Sequence, residues 1–418
     1  MTGGHRALLE QRLAALEPYP AGRFSGKGIV IAAGGPDLFT NAYVLIHLLR
    51  AVHGCALPIE VWHFGAAEMS PRMKRLLRAF AVDTIDAERV LAAQPAAIRS
   101  GWPLKPYALM WSRFEQALLL DADQVPLRDP AGLFDWDAVR ATGALLWPDV
   151  NDILAANPAW AACGLPPRAM PAIESGQLLI DKSRHWAALQ TALHLNEHAD
   201  HYYEFLYGDK DTWLLALLLT GEPYALVPHR PFADVPFCLH QRDMEGEPLF
   251  QHRTGAKWRY AGAQIELPNA ALRDECRHAL ATLRAQWNGL VFNPPPRGAQ
   301  ARETEARLAA IGHFELASPG ERTASLELLS DGDIGAGRAR DRMNWHCDDS
   351  DGDVALVISD AFAPTWRFRP AAGDRWLAQS PATQAWLAPA AARDRIEQPA
   401  RPAWPTSGSY TADPEIEL

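Results

Sequence analysis

Apolar and polar positions along the first two thirds of the chain switch between a period near 3.6 and runs of four to six apolar residues, the pattern of alternating helices and strands. Residues 5–17 carry Leu9, Leu13 and Leu16 at helical spacing and stop at Pro18, which predicts a short amphipathic helix within an N-terminal segment 1–25. Being short and not basic, this helix is expected to pack on the domain, with peripheral contact to a membrane surface as the alternative. A strand is predicted at Gly28–Ala33, a turn at Gly34-Gly35-Pro36-Asp37, and a helix from about Asn41 to Val52 with Leu45, Leu48 and Leu49 on one face. Another strand, 59–64, and a helix, 72–80, follow. This βαβ opening predicts a parallel sheet with right-handed crossovers.

Further on, a helix at 105–112 leads into an apolar strand ending at Asp121. Strands are predicted at 143–147, 176–181, 225–227 and 249–252, and helices at 184–195 and 211–219. These pieces make one α/β domain over residues 26–292. The run Asn293-Pro294-Pro295-Pro296-Arg297-Gly298 opens a stretch, 293–320, that reads as a proline-stiffened linker. Beyond it the pattern changes to short strands at 325–329, 354–358 and 365–368, separated by turns such as Asp331-Gly332-Asp333 and Asp351-Gly352-Asp353. A small β-rich module over 321–380 is expected, then a poorly ordered tail, 381–418, rich in Ala and Pro. The Asp/Gly turns lack the twelve-residue EF-hand pattern and read as hairpin turns.

Composition narrows the picture. With 418 residues, 48% of them hydrophobic, the chain has material for one large domain and a smaller one. A net charge of −10 argues against a nucleic-acid binder, which needs a basic face. No apolar run reaches the length of a membrane span, and the N-terminus does not read as a signal peptide. The five cysteines are odd in number and form no C-x-x-C pair, so neither a disulfide framework nor a zinc site is expected, and a reducing cytoplasm fits. Core filling accounts for most of the fifteen tryptophans, although aromatic rings also stack on sugars.

The strongest chemical signal is Leu118-Leu119-Leu120-Asp121-Ala122-Asp123. Residues two apart in a strand face the same side, so both carboxylates can converge on one point at the strand's carboxyl end, where α/β sheets bind ligands. Two oxygen anions there suit a divalent cation shared with phosphates. Turn formation by the same aspartates is the ordinary alternative. The Gly34-Gly35 turn offers backbone amides to a nucleotide, but has neither the dinucleotide G-x-G-x-x-G spacing nor a P-loop.

Five segments in order carry a resemblance: Leu57–Val61, Leu120–Pro130, Leu146-Trp147-Pro148-Asp149, Glu174-Ser175-Gly176-Gln177 running to Lys182, and Gly208-Asp209-Lys210-Asp211-Thr212. Over roughly residues 26–260 the chain resembles the fungal-type α-mannosyltransferase family that extends mannan branches, with its bacterial relatives. The resemblance implies a GT-A fold with a mostly parallel sheet and a metal-dependent, retaining transfer of a hexose. The donor implied is a nucleotide sugar, GDP-mannose ahead of a UDP-hexose, and the acceptor a saccharide or glycoconjugate. Asp121 and Asp123 would hold Mn²⁺ or Mg²⁺, with His252 as third ligand; an ordinary strand-end histidine is the alternative. Gly34, Lys105, Asp121, Ser175, Gln177, Lys210 and Lys257 would serve the donor, with Arg253 beside Lys257, and Asp149 would face the acceptor. Glu174, Asp209 and Asp211 are the candidate catalytic carboxylates, although Glu174 stands where related retaining enzymes carry asparagine, and Asp211 is also a natural helix cap. Front-face substitution is expected over double displacement. Fungal members are anchored in the Golgi; for this chain a cytoplasmic enzyme, soluble or peripheral on the inner face of a membrane, is expected. A non-catalytic carbohydrate-binding scaffold is the reading from another class.

Overall fold

The computed structural model describes residues 2–234, 238–318, 323–372, 375–379 and 385–390. The chain divides into two compact units, one of residues 1–259 and 264–280, the other of residues 260–263 and 281–418.

In the first unit the strands are β1 (Lys27–Ala32), β2 (Ile59–His63), β3 (Val82–Asp86), β4 (Gln116–Asp121), β5 (Gln124–Pro126), β6 (Ala144–Ile153), β7 (Met170–Asp181), β8 (Ala225–Leu226), β9 (Phe232–Asp234), β10 (Cys238–Arg242) and β11 (Pro248–His252). Seven of them form one sheet in the order β3-β2-β1-β4-β7-β6-β8. All neighbours in it are parallel except those of β7, which runs antiparallel to β4 and β6. This is the mostly parallel α/β sheet that the βαβ opening predicts. Ala117, Leu118, Leu119 and Leu120 of central β4 are all fully buried, which is why that strand reads as an unbroken apolar run.

A second, antiparallel sheet has the order β5-β11-β10-β9. In its register Gln124 lies opposite His252, so the residue after the D-x-D segment pairs with a residue from late in the unit. The N-terminal helix, Thr2–Ala14, buries Leu9 in the main core and packs Leu13 against it.

Several elements differ from the sequence expectation. The helix placed from Asn41 begins at Gly35, so Gly34-Gly35-Pro36-Asp37 is its first turn and not a free loop. Proline near a helix start is favourable, and that outweighed the turn signal. Edge strand β3, Val82-Asp83-Thr84-Ile85-Asp86, buries little beyond Val82 and leaves a faint apolar signature. Strands β6 and β7 extend to Ile153 and back to Met170 because they pair with each other, Ile153 opposite Met170.

In the second unit β12 (His313–Ala317), β13 (Ala324–Glu327), β14 (Asn344–Asp348), β15 (Ala355–Ser359), β16 (Pro364–Pro370), β17 (Trp376–Ala378) and β18 (Trp386–Pro389) form an antiparallel sheet in the order β13-β12-β18-β17-β16-β15-β14. The stretch read as a linker contains a helix, Ala299–Ile311, as well as β12. That helix buries Ala301 and Leu308 against Phe314, Trp345 and Trp376. Gly332 and Gly352 take φ of +85° and +90°, as the Asp/Gly turns require. Of the segment expected as a tail, Trp386–Pro389 is strand β18; residues 381–384 and 391–418 lie outside the described residues.

Among the described residues no helix is long and apolar enough to cross a membrane.

Candidate active site

Asp121 ends β4 and Asp123 stands in the turn that follows, before β5. Pairing of β5 with β11 carries His252 to the same place, and the Arg253 amide donates to the Asp123 carbonyl at 3.1 Å. One ligand atom from each of Asp121, Asp123 and His252 lies within 4.8 Å of the others. His252 Nε2 is 3.2 Å from Asp123 Oδ1 and 3.6 Å from Asp121 Oδ2, while its Nδ1 is 3.2 Å from Glu174 Oε1. With a carboxylate beside one ring nitrogen the other nitrogen faces the aspartate pair, an arrangement that suits a metal-ligating histidine. Two carboxylates and an oriented imidazole at this spacing fit a divalent cation. Asp121 is the most open of the three, its side chain 22% exposed.

Gly176 explains how the ring fits. A Cβ there would press on Gln124 Nε2 and lie 2.5 Å from His252 Nδ1, so only glycine lets β7 pass behind the histidine. Gln124, which sequence reasoning passed over, donates to Gln177 at 2.7 Å and lies beside His252 against the same glycine. Its position directly after Asp123 was the one available signal.

One buried and one half-buried lysine pair with acids of the cluster. Lys105 comes from the helix Leu104–Trp111 and lies 2.9 Å from Asp121 Oδ1 and 3.1 Å from Asp209 Oδ2, and it donates to Ser175 Oγ at 3.0 Å. Lys210, at the start of the helix Lys210–Thr220, is 3.0 Å from both Asp149 Oδ2 and Glu174 Oε2. Trp213 Nε1 donates to Asp209 at 3.1 Å. Half-exposed Lys257 contacts Asp123.

The charges shift one another strongly. Burial lowers the tendency of Lys105 to stay charged, but Asp121 and Asp209 overcome it and raise its pKa. For Lys210 burial is likewise outweighed by Glu174 and Asp149. Against burial, Asp123 and Glu174 raise His252 to about 10. Burial favours a protonated Glu174, yet His252 and Lys210 hold it down to about 2. Asp123 is held low by His252 and Lys257 despite burial, whereas burial of Asp121, only partly offset by Lys105 and His252, raises it. The site is thus a lattice of alternating charge, in which His252 and Lys257 supply positive charge beside the two aspartates.

Sequence candidates therefore separate into groups. Asp121, Asp123, His252, Glu174, Ser175, Lys105, Asp209, Lys210, Asp149 and Lys257 join one connected polar cluster, whereas Gln177 bonds Gln124. Asp211 accepts from the Ile173 amide at 2.8 Å and ties its helix to β7; burial raises its carboxyl to about 6. Arg253 turns away: its guanidinium donates to the carbonyls of Ala256 and Ile265 and sits 3.9 Å from the Trp258 ring centroid. Gly34 precedes the helix Gly35–His47 as its cap, in close packing with Glu68.

Residues 26–157 and 167–243 match a family model described as "Mannosyltransferase putative". The chain is 30% identical to the α-1,2-mannosyltransferase MNN21 of Candida albicans, over 50% of this chain and 40% of that one. It is 25% identical to the α-1,2-mannosyltransferase MNN2 of Saccharomyces cerevisiae, over 60% of this chain and 49% of that one. The match thus spans less than half the length of these relatives. A crystal structure of the mannosyltransferase Ktr4p from S. cerevisiae in complex with GDP aligns over 68% of this chain and 91% of that one, at 9% identity and a TM-score of 0.35. A likeness that slight says nothing of donor or reaction.

Proposed function

The chain belongs to this family of mannosyltransferases, and on that premise we propose a metal-dependent, retaining transfer of mannose from GDP-mannose to a hydroxyl of a saccharide acceptor. The observation that carries the reading is the Asp121, Asp123 and His252 cluster at the carboxyl end of β4, with Glu174 behind the imidazole. Those three side chains would hold Mn²⁺, favoured over Mg²⁺ by the imidazole ligand, and the ion supplies Lewis-acid stabilisation of the departing diphosphate. Lys257 adds positive charge on the same side, beside Asp123.

Glu174, Asp209 and Lys210 are assigned to the donor sugar, together with Ser175 and Gln177, and Asp149 to the acceptor side. Each candidate nucleophile is already engaged: Glu174 by His252 and Lys210, Asp209 by Lys105 and Trp213, Asp211 by the Ile173 amide. This supports front-face substitution. The bond from the anomeric carbon to the diphosphate oxygen breaks as the acceptor oxygen bonds on the same face, and the acceptor proton passes to the leaving diphosphate. Ionised Glu174 then steadies the positive charge that develops on the sugar. The α-1,2 naming of the relatives suits the same outcome, since an α-linked donor giving an α-linked product is retention.

The test is donor hydrolysis and transfer with a panel of nucleotide sugars and Mn²⁺. GDP-mannose is expected to turn over, and Asp123→Asn to lower kcat/KM at least about a thousandfold. Turnover of a UDP-hexose with none of GDP-mannose would overturn the donor assignment; full activity of Asp123→Asn would overturn the metal site.

A further inference from the structure

Beside the charged pocket lies an aromatic pair that neither metal binding nor chemistry uses. Trp102 is 49% exposed and Tyr207 is 70% exposed, whereas the other tryptophans of the first unit are buried or half-buried. Their ring centroids are 5.8 Å apart with planes inclined at 47°, so the two rings form an open, angled surface. Large aromatic rings left in water beside a polar site are costly unless something covers them.

Both rings are positioned by their surroundings. Tyr203 meets Trp102 edge-on at 6.1 Å, and its hydroxyl is anchored by donating to Asn196 Oδ1 at 2.5 Å. Gly208 has a φ of +67°, and a Cβ there would lie 2.6 Å from Trp102 Cε3, so the indole rests on bare backbone one residue before Asp209. Lys210 joins the platform to the pocket: its ammonium stands 5.3 Å from the Tyr207 ring centroid and 3.0 Å from both Glu174 and Asp149. A single side chain thus separates the exposed rings from the carboxylate assigned to the donor sugar.

We propose that Trp102 and Tyr207 form the acceptor subsite, stacking on the C–H face of a hexose ring of the saccharide acceptor; this rests on the transferase reading above. The aromatic faces supply apolar contact, while Asp149, held beside them by Lys210, offers a polar partner to ring hydroxyls. A nucleotide base is the other planar or near-planar group that such rings would cover. The acceptor is favoured because the platform meets the site through Lys210, which also holds Asp149, the carboxylate placed on the acceptor side.

The experiment compares wild type with Trp102→Ala, Tyr207→Ala and Trp102→Phe in steady-state transfer. It also measures binding of α-linked mannotriose, maltotriose and galactotriose without donor, by calorimetry. Each alanine variant is expected to raise the acceptor KM about tenfold, the size of one lost stacking contact, with the donor KM moving less than about twofold. Trp102→Phe is expected to restore most of the loss. A rise in donor KM with unchanged acceptor KM would assign the rings to the base and overturn the proposal; so would no change in either KM. If the wild type transfers no sugar yet binds a trisaccharide that Trp102→Ala fails to bind, the platform stands and the transferase reading falls. If it neither transfers nor binds any of the three, the platform is overturned with it.

Discussion

The two ends of strand β4 each bury a lysine, and the two lysines behave in opposite ways. At the carboxyl end, Lys105 lies between Asp121 and Asp209, and its pKa rises. At the amino end, Lys182 follows β7, donates to the carbonyls of Met110 and Ser112 and to Ser112 Oγ, and stands over the Phe24 ring. Among the described residues no carboxylate pairs with it, and burial, opposed only by more distant Glu60, pulls its pKa down to about 7. Burial by itself therefore does not mark a functional charge. What distinguishes the carboxyl end is that each charge of the cluster has an opposite charge close by, and that two carboxylates and an imidazole converge where a cation can replace one of the positive partners.

The contrast can be broken most sharply at Lys105. Lys105→Met leaves Asp121 and Asp209 buried without their cation and is expected to destabilise the protein by about 3–5 kcal/mol. Urea unfolding in metal-free buffer measures this, and a loss below about 1 kcal/mol would contradict the pairing. A smaller effect is expected from Gly176→Ala, which forces a methyl against His252 and Gln124. Stability should fall by about 1–3 kcal/mol, and Mn²⁺ affinity about tenfold as the imidazole is displaced; titration with Mn²⁺ followed by electron paramagnetic resonance reads the second change.

Lys182 gives the smallest effect and the opposite sign of pH dependence from a salt-bridged lysine. Unfolded, it keeps its proton up to about 10.5; folded, it releases it near 7. Between those values the unfolded chain binds more protons, so the penalty is complete below pH 7 and is relieved as pH rises. Stability is expected to gain about 2 kcal/mol from pH 7 to 9 through this group. Lys182→Met should flatten that slope, seen as unfolding midpoints at the two pH values; an unchanged slope would show that Lys182 is charged in the fold.

Local signals in the sequence account for much of this molecule. The apolar run ending at Asp121 predicted the central strand and the acid pair at its end, because a strand buried on both faces leaves no polar position inside it. The Asp121 and Asp123 pair converges as expected, although Asp123 stands in the turn after β4 and not in the strand whose alternation suggested it, and the Asp/Gly turns of the second unit were equally local. Edge strand β3 and the helix Ala299–Ile311 escaped notice because each buries few residues and leaves little periodicity. Exposed Trp102 and Tyr207 could not be told apart from core-filling aromatics, since exposure is not written in residue type.

By itself, then, the sequence determined the alternating α/β elements, the acid pair and the family to which they belong. Tertiary structure alone decided which charges meet. The β5–β11 register brings His252 to Asp123, glycine at 176 lets the ring lie against β7, and Lys105 reaches Asp209 from a different helix. Those partners are far apart in the chain, and a pairwise Coulomb interaction depends on distance in space, which spacing along the sequence does not encode.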